Sequence, residues 1–191
     1  MREIIRLLQF LGIVILLTGC DKDDYQQFIY AGSATGEYIT YTEISPPEVI
    51  MFDYPASSST YSPDLDGDGE PDVTFSFSGS ASPGHTLFSM HVTTHDDVEL
   101  CQGTAEDLAG MLEEDALIDE FRQWQTEELI MHDYSYITNE SATFTGDWVE
   151  SGKHYLGFRI MDKKKYRYGW IAISMESGAS WVFQDFALIS D

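Results

Sequence analysis

Between Asp64 and Asp72 the chain carries an acid at every second position, and the six residues that follow alternate large apolar with small polar side chains. The run is Asp64-Leu65-Asp66-Gly67-Asp68-Gly69-Glu70-Pro71-Asp72, then Val73-Thr74-Phe75-Ser76-Phe77-Ser78. Carboxylates crowded in this way repel one another, and a hard dication among them would turn that repulsion into cohesion. Calcium takes about six to eight oxygen ligands and tolerates irregular geometry. The spacing matches the first part of a calcium loop. Asp64, Asp66 and Asp68 supply side chains, Gly69 takes the sharp turn, Glu70 offers its main-chain carbonyl and Asp72 closes the set. Where a helix-loop-helix site needs a bidentate glutamate, this chain has Phe75. The alternation after Asp72 has the period of a half-buried strand. The acidic loop therefore opens into β-structure, which makes the chain mainly β around this corner.

A loop of this length running straight into a strand resembles the calcium loops of FG-GAP repeats, found in integrin-type propellers. The resemblance covers residues 64–79, in one copy. A propeller needs about four to eight blades, so the resemblance implies the ion site and not the propeller. All the ligands are local, which points to a structural ion.

The first nineteen residues read as an export signal. Arg2 and Arg6 give the positive end, and residues 7–17 form an apolar run too short to span a bilayer comfortably. The run ends in Leu17-Thr18-Gly19-Cys20, which resembles the lipobox of bacterial lipoproteins. That resemblance implies lipidation of Cys20 and anchoring in the outer membrane. Asp21-Lys22-Asp23-Asp24 resembles the signal by which one Gram-negative phylum exports lipoproteins to the cell surface. The expected organisation is a signal peptide over 1–19, a flexible acidic tether over 20–36 and one calcium-binding β-domain over 37–191. The formal net charge of −23 argues against nucleic acid or an anionic membrane surface as a partner. With Cys20 lipidated, Cys101 has no partner for a disulfide and reads as a small buried apolar residue.

Strand patterns occupy residues 38–44 and 48–52, separated by Ser45-Pro46-Pro47, and then 85–95. The proline- and serine-rich stretch 53–63 reads as a loop. Residues 154–161, 166–175 and 181–189 give three more strands. The middle one is apolar on both faces, as a central strand would be. In the last, Phe183, Ala187 and Ile189 alternate against Val182, Phe186 and Leu188. Thr104 followed by Glu106 and Asp107, with Leu108, Met111 and Leu112 at helical spacing, predicts a helix start. One or two short helices are expected near residues 104–125. The fold class is thus a single β-sandwich, jelly-roll or lectin-like.

His91 and His95 lie on one strand about 13 Å apart, too far to share a zinc ion. The acids Glu113, Glu114, Asp115, Asp119 and Glu120 read as a solvated face. Five basic residues, Arg159, Lys163, Lys164, Lys165 and Arg167, cluster about one hairpin tip, where they either blunt an edge or dock onto an anionic surface, the protein's own included.

Tyr155-Leu156-Gly157-Phe158-Arg159, Tyr168-Gly169-Trp170-Ile171 and Phe183-Gln184-Asp185-Phe186-Ala187, with the acidic loop, make the layout similar to a group of secreted bacterial β-sandwich proteins that has no assigned activity. The expected function is that of a surface-anchored module binding a glycan or protein, with no catalytic residues marked. The alternative is a carbohydrate-active or other hydrolytic enzyme on the same scaffold.

Overall fold

The structure is a computed structural model that describes residues 27–149 and 152–190. The signal, Cys20 and the motif at 21–24 lie outside the described residues. The described residues form thirteen strands: β1 (Phe28–Tyr30), β2 (Ile39–Met51), β3 (Ala56–Tyr61), β4 (Val73–Ser82), β5 (His85–Thr94), β6 (Val98–Cys101), β7 (Leu117–Asp119), β8 (Trp124–Gln125), β9 (Leu129–Ile137), β10 (Thr143–Thr145), β11 (Gly152–Asp162), β12 (Lys165–Ser177) and β13 (Ser180–Ile189). Two large antiparallel sheets form the sandwich, one ordered β10-β9-β5-β4-β3 and the other β2-β13-β12-β11-β6-β8. A two-stranded ribbon of β1 and β7 makes a third, small sheet.

The alternation seen in the sequence decides the layers. Val73, Phe75 and Phe77 of β4 and Met90 and Val92 of β5 point inward from the five-stranded sheet. They meet Leu156, Phe158 and Ile160 of β11 and Ile171 and Ile173 of β12. Phe75 and Phe183 lie 4.6 Å apart between ring centroids, one from each sheet. Each fully buried side chain of this size contributes about 1.5–3 kcal/mol. The other face of the six-stranded sheet is buried too. Tyr155, Tyr168, Trp170 and Ala172 pack there beneath Ile29, Ala31, Leu112 and Ile118. β12 therefore lies between two apolar layers, as its composition required.

Three expectations are corrected. No helix occurs among the described residues. The stretch 104–125 instead runs extended over the six-stranded sheet, through isolated bridges and the short strands β7 and β8. Its amides bond across the fold: Ala109 to the Ile130 carbonyl, Gly110 to Cys101 and Leu112 to Tyr155, each at 2.9 Å. Thr104 caps nothing helical, since its amide and hydroxyl donate to Asp147 at 2.7 and 2.5 Å. Local helix signals yield here to burial of Leu108 and Leu112 in an extended chain. Second, the flexible tether does not reach residue 36. Phe28–Tyr30 pairs with Leu117–Asp119, Ile29 and Ala31 are fully buried, and Trp170 Nε1 donates to the Ser33 carbonyl at 3.1 Å. Third, the stretch 53–63 contains β3, whose serines pair with β4 at the sheet edge.

The faces of β13 are also not those its alternation suggests. The pairing with β12 shifts between Phe183 and Asp185, where Gln184 is one extra residue opposite the step from Ala172 to Ile173, a β-bulge. One extra residue turns every later side chain to the other face. Phe183, Phe186 and Leu188 consequently share the inner core, while Ala187 and Ile189 face the outer layer.

His132 is a buried polar residue of this core, 3 % exposed. Its Nδ1 donates to the Trp148 carbonyl at 2.7 Å. Burial holds its pKa below the ordinary value, against the opposing pull of that carbonyl and of Asp133. On acidification the unfolded chain binds this proton first. The stability His132 contributes is therefore intact above pH ~6.5 and lost as pH falls through the folded value. We expect the melting temperature to drop between pH 7 and pH 5, as read by circular dichroism, and His132→Phe to flatten that drop.

Candidate functional site

The acidic loop is pinned at its neck and in its middle. The Asp72 amide donates to the Pro63 carbonyl at 3.0 Å, the His95 amide to the Asp72 carbonyl at 2.8 Å, and Leu65 is buried in the core. Gly67 and Gly69 have φ of +82° and +99°, a region costly for any residue with a Cβ, and they let the chain double back. With the neck closed, the loop's own amides turn toward its carboxylates. Gly67 and Gly69 donate to the two oxygens of Asp64 at 2.7 and 2.9 Å. Leu65 and Asp66 donate to Asp72 Oδ2 at 2.6 and 3.2 Å. Asp68 donates to Asp66 Oδ1 at 3.1 Å, and Glu70 to Asp68 Oδ1 at 2.8 Å.

One oxygen from each of Asp64, Asp66 and Asp72 lies within 4.8 Å of the others. The structure thus brings together three of the residues singled out in the sequence. Asp68 and Glu70 are not in this trio, but with two of its members, Asp66 and Asp72, they line a concavity of about 490 Å³ that Asp96 and Asp97 share. Oxygens bound at about 2.4 Å to a single ion stand at most about 4.8 Å apart. The donor set is all hard oxygen, which suits calcium or magnesium over softer metals. Burial pushes the Asp72 carboxyl above the ordinary range, and the charges of Asp66 and Asp64 add to the push against the Leu65 and Asp66 amides. Keeping Asp72 ionised at neutral pH therefore has a cost that a bound cation would offset.

One cation in the site was not assigned to it from the sequence. Arg167 Nη2 lies 3.0 Å from Asp66 Oδ2, both side chains being less than one-fifth exposed. Arg159, from the same basic cluster, is bound to Glu99 and stands over the Trp124 and Tyr166 rings at 4.7 and 3.7 Å. The Tyr166 hydroxyl donates to the same glutamate at 2.8 Å. Arg159 and Arg167 thus dock onto the protein's own acids, while Lys163 and Lys164 form the exposed turn.

No family model, curated protein or solved structure matches the chain. Function has to be argued from the sites themselves.

A second polar cluster lies on the outward face of the five-stranded sheet. Ser89 and His91, two apart on β5, share that face. Ser89 Oγ is 2.9 Å from His91 Nε2, and His91 Nδ1 is 2.7 Å from Glu128 Oε1. This is the order and spacing of a serine nucleophile, its base and an orienting acid. Asp133 changes that reading. The Ser89 hydroxyl donates to Asp133 Oδ1 at 2.5 Å, and the same oxygen is 3.1 Å from His91 Nε2. With the serine proton directed at a carboxylate, His91 is not poised to take it. The arrangement fits better as a rigid network that fixes Asp133. Sequence reading put His91 on an outward face but missed its partners. Glu128 precedes β9 and Asp133 lies within it, past a register shift opposite Met90 and His91.

Cys101 is buried, a free thiol pushed up to about 11 mainly by desolvation. That is the behaviour of a packing residue, not of a nucleophile.

Proposed function

We propose that the chain is a surface-anchored lipoprotein, held in the outer membrane by lipid on Cys20, whose β-sandwich is a calcium-stabilised binding module. The observation that carries the calcium is the convergence of Asp64, Asp66 and Asp72 oxygens within 4.8 Å, each of these carboxylates held by the loop's own amides. Asp68 and the Glu70 carbonyl complete the coordination in this reading. The ion's role is structural. It lets the acidic corner between β3 and β4 close, and with it the end of the core. The binding role rests on the predicted surface anchor and on the strongly acidic chain, which disfavours anionic partners.

Calcium sites in extracellular modules bind at roughly 0.1–1 mM. At ten times the dissociation constant, linkage adds about 1.4 kcal/mol. For a domain of this size that is a rise in melting temperature of roughly 3–6 °C. A thermal melt in millimolar calcium and in excess chelator should differ by this amount, and identical melts would sink the calcium assignment. The anchor is tested separately by fractionation: Cys20→Ser should move the protein from membranes to the soluble fraction, and retention there would refute it.

A further inference from the structure

We propose that the outward face of the five-stranded sheet is a binding groove for neutral glycans. The proposal deepens the binding-module reading and rests on it, and it does not depend on the calcium loop. The groove has a volume of about 450 Å³ and is framed by β4, β5, β9 and β10. That is the size of ordinary small-ligand sites, about 300–1,000 Å³.

Its lining selects a chemistry. Ser78 and Ser80 come from β4, Ser89 from β5, Ser135 from β9, and Thr143 and Thr145 from β10. The pairing sets them side by side: Ser89 opposite Ser78 and Asp133, Leu87 opposite Ser80 and Ser135, Thr143 opposite Ser135, and Thr145 opposite Asp133. A hydroxyl both donates and accepts. A row of them matches a ligand that itself presents hydroxyls in several orientations. Among the described residues no lysine or arginine lines the groove, the neighbouring amides belong to the sheet ladder, and Asp133 is acidic. With a net charge of −23 behind it, such a groove repels sulfated, phosphorylated or sialylated ligands.

Two further features suit a sugar ring. Leu87 of β5 is 48 % exposed and faces the groove, where it offers an apolar surface to the C–H face of a pyranose. Asp133 is fixed from behind by Ser89 and His91, and His91 by Glu128. A carboxylate held in one rotamer accepts hydrogen bonds from a ligand without ordering itself first. The register shift beside His91 turns this network toward the groove.

The test uses the full chain in mild detergent with millimolar calcium, on an array of neutral, sialylated and sulfated oligosaccharides. At least one neutral glycan should bind and no anionic one. Ser135→Tyr, which fills the groove from an outward position, should abolish binding. Asp133→Asn, which removes the charged acceptor, should weaken it roughly tenfold or more. Each variant is melted alongside the wild type to show that it folds, and Thr143→Tyr serves as a second groove-filling variant if Ser135→Tyr does not. Binding that survives both tyrosine variants overturns the location, and binding of anionic glycans only overturns the class. In those two results the binding-module reading stands. Absence of any glycan binding by a preparation that melts cooperatively overturns the glycan inference, and the same preparation's response to chelator reports separately on the calcium assignment.

Discussion

Truncating Phe183 to alanine will destabilise the domain by about 3–5 kcal/mol, the range for a large aromatic removed from a core. The side chain is fully buried, and its ring lies 4.6 Å from Phe75 and 4.8 Å from Tyr61, both on the opposite sheet. It is a principal inter-sheet contact, and neighbouring rings held in sheets cannot collapse far into the space it leaves. Read by urea denaturation, Val182→Ala should cost less than about half as much, since Val182 is only partly buried. The contrast tests which face of β13 carries Phe183. Without the register shift at Gln184, Phe183 would not share a face with Phe186 and Leu188. Equal costs for the two truncations would contradict the assignment of the faces.

Asp66→Ala has two consequences that separate experimentally. In chelator, it leaves Arg167 without its carboxylate. The pair is mostly buried, at 18 % and 19 % exposure, and Arg167 Nε has no hydrogen-bond partner. Removing one member of such a pair costs about 1–3 kcal/mol, less than for a fully buried ion pair because some solvent still reaches it. In calcium, the variant also loses the linkage term, so its melts with and without the ion should coincide. Arg167→Met should lower stability in chelator and leave the response to calcium in place. If Asp66→Ala still gains several degrees from calcium, Asp66 is not a ligand.

The strands that alternate cleanly were legible in the sequence. Val73 to Ser78 reads directly as a half-buried strand, and the two-faced apolarity of β12 placed it in the middle of its sheet. The turn of the acidic loop was legible because its residue spacing is local, and Gly69 takes the positive φ that the spacing demanded. What failed depends on contacts far along the chain. The helix signals at 104–112 are real local preferences, overruled because the carbonyls of Cys101, Ile130 and Tyr155 offer partners in an extended conformation. The serines of β3 read as a loop because Ser59 and Ser57 lack the bulk that marks a strand, although β4 supplies their pairing. Arg167 meets Asp66 across 101 residues, and Asp133 meets Ser89 across 44. No periodicity predicts those meetings. The bulges at Gln184 against β12 and at Met131 against β5 are single-residue shifts that alternation alone cannot locate.

The proposed closure of the acidic corner by calcium is tested most directly by titration calorimetry of the folded domain with calcium. The expected result is one ion per chain, a dissociation constant of roughly 0.1–1 mM, and no binding heat in Asp66→Ala at the same concentrations. A flat titration of the wild-type protein, well beyond millimolar calcium, would contradict it.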